Sequence, residues 1–207
     1  MRTISILVIA LFFITSPTLA QGSGSNSSFI SIYVGDLSVL SENFTDYYDS
    51  KNNLTFGIGF GIPISRSFTF DASISYYHKK SDFPETLEIT SISSSELQQL
   101  IYNAGLQVHL LPNKIIGLSF LFGFNYATIN EERRDIDENL IYDLSSSGNL
   151  GIYGGANFEI SFGRSPLALH GDVKYTYAWD TVFEFADTYR EIKYSGGIKL
   201  YLANRWK

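Results

Sequence analysis

The sequence predicts an all-β chain, an eight-stranded antiparallel up-and-down transmembrane β-barrel. Three observations carry that expectation. Large apolar residues recur at every second position through eight segments, the period of a strand rather than of a helix. The segments are joined alternately by tight turns and long polar loops, as in a membrane barrel with one short end and one long end. The apolar stripes also lack charge. Their 44 positions contain no Asp, Glu, Lys or Arg in a chain that is 17% charged, where composition alone would place about seven.

The strands follow in order. The first is short, with Ile30, Ile32 and Val34 on its apolar face. The second runs from Leu54 to Ile62 and alternates with Thr55, Gly57, Gly59 and Gly61. The third spans Phe68 to Tyr76, the fourth Leu100 to Leu110, and the fifth Ile116 to Tyr126 with Phe120, Phe122 and Phe124 at its centre. The sixth covers Leu150 to Phe162, the seventh Leu167 to Tyr177, and the last Ile192 to Leu202. The tight turns lie at 63–67, 111–114 and 163–166, with the Pro, Gly, Asn and Ser that turns use. The long loops lie at 36–53, 79–99, 130–149 and 179–191.

Volume and charge decide which face points inward. An eight-stranded barrel has an interior just wide enough for side chains to fill. Nine phenylalanines on the apolar stripes would overfill it, whereas the opposite face is rich in Gly, Ser, Thr and Asn. A soluble lipocalin-like binder would turn the apolar face inward and need a charged exterior, which the alternate face does not supply. The apolar face is therefore expected to meet lipid. Tyr76, Tyr102, Tyr126, Tyr177 and Tyr194 stand at the loop ends of their stripes and are expected to form an aromatic girdle.

Charge sorts by height. Eighteen of the 21 acidic residues fall in the long loops. The turn end carries bases only: Arg66, Lys114, Arg164, Arg205 and Lys207. Asp71, Glu159 and Asp172 face the lumen with Lys174, Lys193, Lys199 and His170. These are expected to form a salt-bridge network that fills the barrel, with Glu159 opposite His170 and Asp172 on the strand beside that of Lys199. Such a network stabilises only when its partners are well paired. The functional alternatives are a narrow pore or proton path, and a Glu159–His170 catalytic pair in a lipid-modifying enzyme. The apolar alternation also continues through Leu140, Tyr142 and Leu144, and through Leu87 and Ile89. Strands three to six are therefore candidates for a sheet protruding above the membrane, able to recruit a ligand by strand addition.

The N-terminus reads as an address. Arg2, the apolar run Ile4 to Ile14, Pro17 and the small residues ending at Ala20 form a secretory signal pattern. The expected organisation is a signal peptide over 1–20, a flexible lead-in over 21–28 and a barrel over 29–207. With no Cys, a disulfide scaffold, thiolate metal site or thiol nucleophile is excluded. A formal charge of −6 argues against a nucleic-acid partner. No cofactor or metal signature emerges. Asp135, Asp137 and Asn139 have calcium-loop spacing, but Leu140 occupies the position that needs glycine, so this reads as a solvated acidic loop.

Ser195, Gly197, Leu200 and Leu202 form a polar-x-Gly-x-x-apolar-x-apolar pattern in the last strand. The pattern resembles the C-terminal signal read by the barrel assembly machinery, although Lys207 follows the aromatic Trp206. With the signal peptide and meander, the chain resembles the small outer-membrane barrel family, similar to OmpX and the OmpA transmembrane domain. The resemblance implies a monomeric, non-enzymatic protein of a Gram-negative outer membrane. It would contact membrane lipid and lipopolysaccharide, with acidic extracellular loops serving surface interaction or envelope integrity.

Overall fold

The computed structural model describes residues 27–41, 44, 48, 51–82, 92–111, 115–135, 137, 139–162, 165–180 and 188–202. Eight strands account for nearly all of them: β1 (Phe29–Val39), β2 (Asn52–Pro63), β3 (Phe68–Asp82), β4 (Ile92–His109), β5 (Ile116–Asp135), β6 (Leu140–Ser161), β7 (Leu167–Asp180) and β8 (Tyr189–Tyr201). Each pairs antiparallel with its sequence neighbour. β1 also pairs with β8, from Phe29↔Tyr201 to Val39↔Glu191, which closes the barrel. The expected signal peptide, and the tail with Trp206 and Lys207, lie outside the described residues.

Period-two alternation does the sorting. The large apolar residues face outward, with Phe124 66% and Ile32 59% exposed. The inward row is polar, small or aromatic and is buried, as at Ser31, Asp71, Asn103, Gln107, Asn157 and Lys199. In water this arrangement is inside out, because so continuous an apolar surface would drive association. In hydrocarbon it is the stable one, and closure leaves no open sheet edge in lipid to strand N–H and C=O groups. The inward glycines make room for the larger inward rings. A Cβ at Gly57 would lie 2.3 Å from the Tyr33 ring, and one at Gly61 2.2 Å from Phe29.

The strands are longer than the apolar stripes predict. Stripes end where lipid ends, but the ladder continues. β3 and β4 pair up to Asp82↔Ser94, and β5 and β6 up to Arg134↔Leu140. The described parts of the expected loops over 79–99 and 130–149 are therefore largely strand, and the β3–β6 ladder runs past the loop ends of β1, β2, β7 and β8. Leu87 and Ile89 fall outside the described residues. At the β5–β6 tip, the Asn139 backbone N–H and side-chain amide donate to the Asp135 carboxylate at 2.8 and 3.2 Å. That contact gives the acidic tip a turn-forming role.

One bulge changes which residues face in. Ile129 pairs with Ser147, but Glu131 pairs with Leu144, so β6 spends three residues against two of β5. An extra residue reverses the alternation beyond it. Leu144 and Tyr142, which share the parity of the lipid-facing Leu150, consequently turn inward. Leu144 packs on a buried apolar cluster, and the Arg133 guanidinium sits 4.4 Å over the Tyr142 ring.

Candidate functional site

The lumen is built in layers. At the turn end, Glu159 on β6 is surrounded by donors. The Tyr201 hydroxyl donates to its two oxygens at 2.7 and 2.8 Å, Lys199 Nζ at 3.2 Å and Ser161 Oγ at 3.2 Å. Lys199 also donates to Asn157 Oδ1 at 3.3 Å and lies 4.5 Å over the Phe29 ring. The carboxylate is thus paired and hydrogen-bonded, the condition under which a buried ion pair is tolerated. Nearby, His109 bridges two strands through Ser119 Oγ at 3.0 Å and Thr69 Oγ1 at 2.8 Å.

The middle layer holds the remaining candidates. Lys174 Nζ approaches Asp71 at 3.9 Å and the Tyr153 ring at 5.4 Å. Ser195 Oγ donates to Asp172 at 2.8 Å, and His170 Nδ1 lies 3.7 Å from the same carboxylate. Lys193 donates to Ser75 Oγ at 3.4 Å and sits 4.8 Å over Tyr33. An amide ladder closes the far wall, where Asn125 donates to Asn103 and Asn103 to Ser73. The cavity among Asp71, His170, Asp172, Lys174 and Lys199 measures about 20 Å³, the room of about one water molecule.

The charged side chains expected to fill the barrel thus meet mixed partners. Two ion pairs form, Lys199–Glu159 and Lys174–Asp71. Asp172 takes a serine and a histidine, and Lys193 takes a hydroxyl and an aromatic face. Glu159 does lie opposite His170 in register, but the two side chains turn to different partners. Glu159 is held by Tyr201 and Lys199, while His170 lies beside Asp172.

Above this polar middle the lumen becomes apolar. Leu37, Val39, Tyr77, Leu97, Ile101, Ala127, Ile129, Ala178 and Tyr189 form a buried cluster with Phe44 and Tyr48 from the first long loop. The Tyr48 N–H donates to the Phe44 carbonyl at 3.0 Å, and the rings stack 4.6 Å apart. The Tyr48 hydroxyl donates to Glu131 at 2.8 Å, and Arg133 donates to the same oxygen at 2.9 and 3.0 Å. Burial, followed by the charge of Glu131, pushes the Tyr48 hydroxyl far above its ordinary range. Glu131, Arg133, Lys79 and Glu191 thus line the interior, where sequence reasoning placed loop charges. Their signal was parity: Glu131 and Arg133 continue the inward row of Asn125, Ala127 and Ile129. We expect planar bilayers containing the barrel to show no unitary conductance, because a charged plug and an apolar cap lie in series. Steady openings would refute that expectation.

On the outer face of the protrusion, Glu96 is held below its ordinary range. The chief cause is the hydrogen bond from Gln98 at 2.7 Å, with a lesser one from His78 at 3.1 Å. A depressed carboxyl stabilises the fold above its unfolded pKa, and the effect fades as pH falls through the folded value. We expect Gln98→Ala to move the Glu96 midpoint upward in an NMR titration; an unmoved midpoint would contradict the assignment.

Among the remaining sequence candidates, Tyr76, Tyr102, Tyr126 and Tyr194 are exposed on the outer wall, and Tyr177 is half-buried. The Tyr102 and Tyr126 rings lie 6.3 Å apart. Leu200 and Leu202 point outward. Gly197 sits at the closing seam opposite Tyr33, where a Cβ would be 2.0 Å from the Ile32 carbonyl.

A closed antiparallel barrel with its apolar face outward and a charged network buried in its lumen has the architecture of a small transmembrane β-barrel. The solved structures it resembles are of that kind. Neisserial surface protein A matches with a TM-score of 0.53 at 11% identity, over 84% of this chain and 97% of that one. OprG from Pseudomonas aeruginosa matches with a TM-score of 0.53 at 14% identity, over 86% and 97%. Ail, the attachment invasion locus protein of Yersinia pestis, matches with a TM-score of 0.50 at 14% identity, over 85% and 99%. At these identities the likeness is one of fold. No family model matches the sequence, and neither does any curated protein.

Proposed function

We propose that the chain is an integral, non-enzymatic outer-membrane barrel, exported by a signal peptide over 1–20, that acts at the cell surface through its protruding sheet. The observation that carries this reading is the length of β6. It runs ten residues, Leu140–Asn149, beyond its last pairing with β7 at Leu150↔Asp180. Among the described residues β7 goes no further. A strand edge presented above the membrane can accept a strand from a partner. The opposite edge is guarded. There Asn53 Nδ2 caps the His78 carbonyl, and β3 ends in Lys79, Lys80 and Asp82, charges of the sort that blunt edges. Two neighbours of the same fold bear names of surface and attachment proteins, which agrees with this reading.

The same proposal gives the other candidates their roles. The five tyrosines mark the headgroup level. The lumen residues Asp71, Glu159, His170, Asp172, Lys174, Lys193 and Lys199 hold the barrel shut. Ser195, Gly197, Leu200 and Leu202 present the final strand to the assembly machinery.

Two measurements test it. The protein should sediment with outer membranes and change gel mobility on heating; a soluble, heat-insensitive protein would overturn the location. Replacing residues 130–146 by an Asn-Gly turn would join β5 to β6 at the Ile129↔Ser147 pair. Cells carrying that variant should lose adhesion to protein-coated surfaces while the heat shift persists. Equal adhesion by both proteins would overturn the surface role.

A further inference from the structure

The outer wall carries a groove with a defined shape. Gly196, Val34, Phe56, Tyr76 and Leu100 are successive register partners on five adjacent strands, β8, β1, β2, β3 and β4. One step nearer the turn end, Ile198, Ile32, Ile58 and Ile74 form a second such row. The trough between the rows has a volume of about 610 Å³. Its floor is the intervening row Gly197, Tyr33 and Gly57, whose side chains, where present, point into the lumen. Four interstrand steps give it a length of about 19 Å. The lower ridge is four β-branched isoleucines, whose side chains have little rotamer freedom to lose, so the trough exists before anything enters it. The upper ridge drops away at Gly196, where a Cβ would meet nothing nearer than 3.8 Å.

We propose that this trough is a binding site for one acyl chain of a membrane lipid. The proposal rests on the membrane location given above. The trough is continuous with the lipid-facing belt, and hydrocarbon is the only medium that belt tolerates. It runs to Tyr76, one of the tyrosines at the upper end of the stripes, so a lipid headgroup can stay at the surface while its chain follows the isoleucine ridge. The gap in the upper ridge at Gly196 is the entrance to the trough, and beyond it, between Val34 and Ile32 and between Phe56 and Ile58, the chain touches both ridges at once.

The test uses the whole barrel refolded into phosphatidylcholine vesicles containing phosphatidylcholine spin-labelled near the chain terminus. Gly196→Leu fills the opening, and Ile58→Ala lowers the ridge. Gly154→Leu is the control, an outward glycine on β6 whose Cβ would be 4.0 Å from its nearest neighbour. The motion-restricted fraction of the spectrum should fall in the first two variants and match the wild type in the third. Equal fractions in all four proteins, or an equal fall in Gly154→Leu, would overturn the site. The heat shift of gel mobility is measured on every sample. Loss of that shift in the wild type would indict the membrane reading, whereas altered lipid restriction with the shift intact concerns the groove alone.

Discussion

Glu159→Leu should cost the barrel about 3–5 kcal/mol, the usual penalty for stranding one member of a buried ion pair. The Lys199 ammonium would keep only Asn157 and the Phe29 face, having lost a partner at 3.2 Å in surroundings that leave its side chain 3% exposed. The Tyr201 hydroxyl would lose its acceptor at the same stroke. Lys199→Met should cost a similar amount, because it removes the ammonium that donates to the carboxylate at 3.2 Å. The double variant is the informative one. Two apolar side chains of similar volume can replace a buried pair at little cost, so it should recover most of the loss. Urea unfolding in vesicles, followed by Trp179 fluorescence, measures all three. Single variants as stable as the wild type would show that the lumen is wet enough to solvate either charge, and the sealed plug would then be wrong.

Phe120→Arg should destabilise the protein by about 2–4 kcal/mol, the cost of a cation facing lipid near the midplane of a barrel. Phe120 is outward, in the middle of the β5 stripe, and 52% exposed. For a water-soluble barrel the same change at a half-exposed site would be nearly neutral, so the sign and size of the effect read the solvent directly. Thr128→Arg supplies the contrast. It lies on the outer face two residues past Tyr126 and should cost no more than about 1 kcal/mol, as near the interface. If the two substitutions had equal effects in vesicle unfolding, the outer wall would not be facing hydrocarbon.

These two outcomes mark what the sequence could reveal. Strand number, antiparallel order and facing were legible because in lipid one face must be apolar without interruption, and an uncharged stripe such as Ile116 to Tyr126 records that directly. The inward acids and bases were legible by parity alone, including the Glu159 and His170 register. Their pairing was not, because a long side chain in a narrow lumen reaches partners anywhere from the adjacent strand to the opposite wall. Lys174 reaches Asp71 across the barrel, and Lys193 finds Tyr33 and Ser75. The protruding strands were only half legible. Above the lipid the stripe rule lapses, and the alternation of polar residues with Glu131, Arg133 and Lys79 looks like loop. Phe44 and Tyr48 gave no period at all. They are buried because the mouth of the barrel needs covering, a demand set by tertiary structure.

The bulge in β6 has a consequence for where the membrane surface lies. Along each strand the greasy side changes from outer to inner at one height, since lipid bathes the wall below and water bathes it above. β5 makes the exchange by composition: Phe124 and Tyr126 outside give way to Thr128, Asn130 and Glu132, while Ala127 and Ile129 take over inside. β6 makes it by counting, with one surplus residue between Leu144 and Ser147 that turns Leu144 and Tyr142 from the outer side to the inner. The waterline is thus written into the chain twice, in two different codes. Were the same residues to run through this stretch without the bulge, Leu144 and Tyr142 would stay on the outer wall, following the rule of the bilayer in a region that belongs to the aqueous exterior.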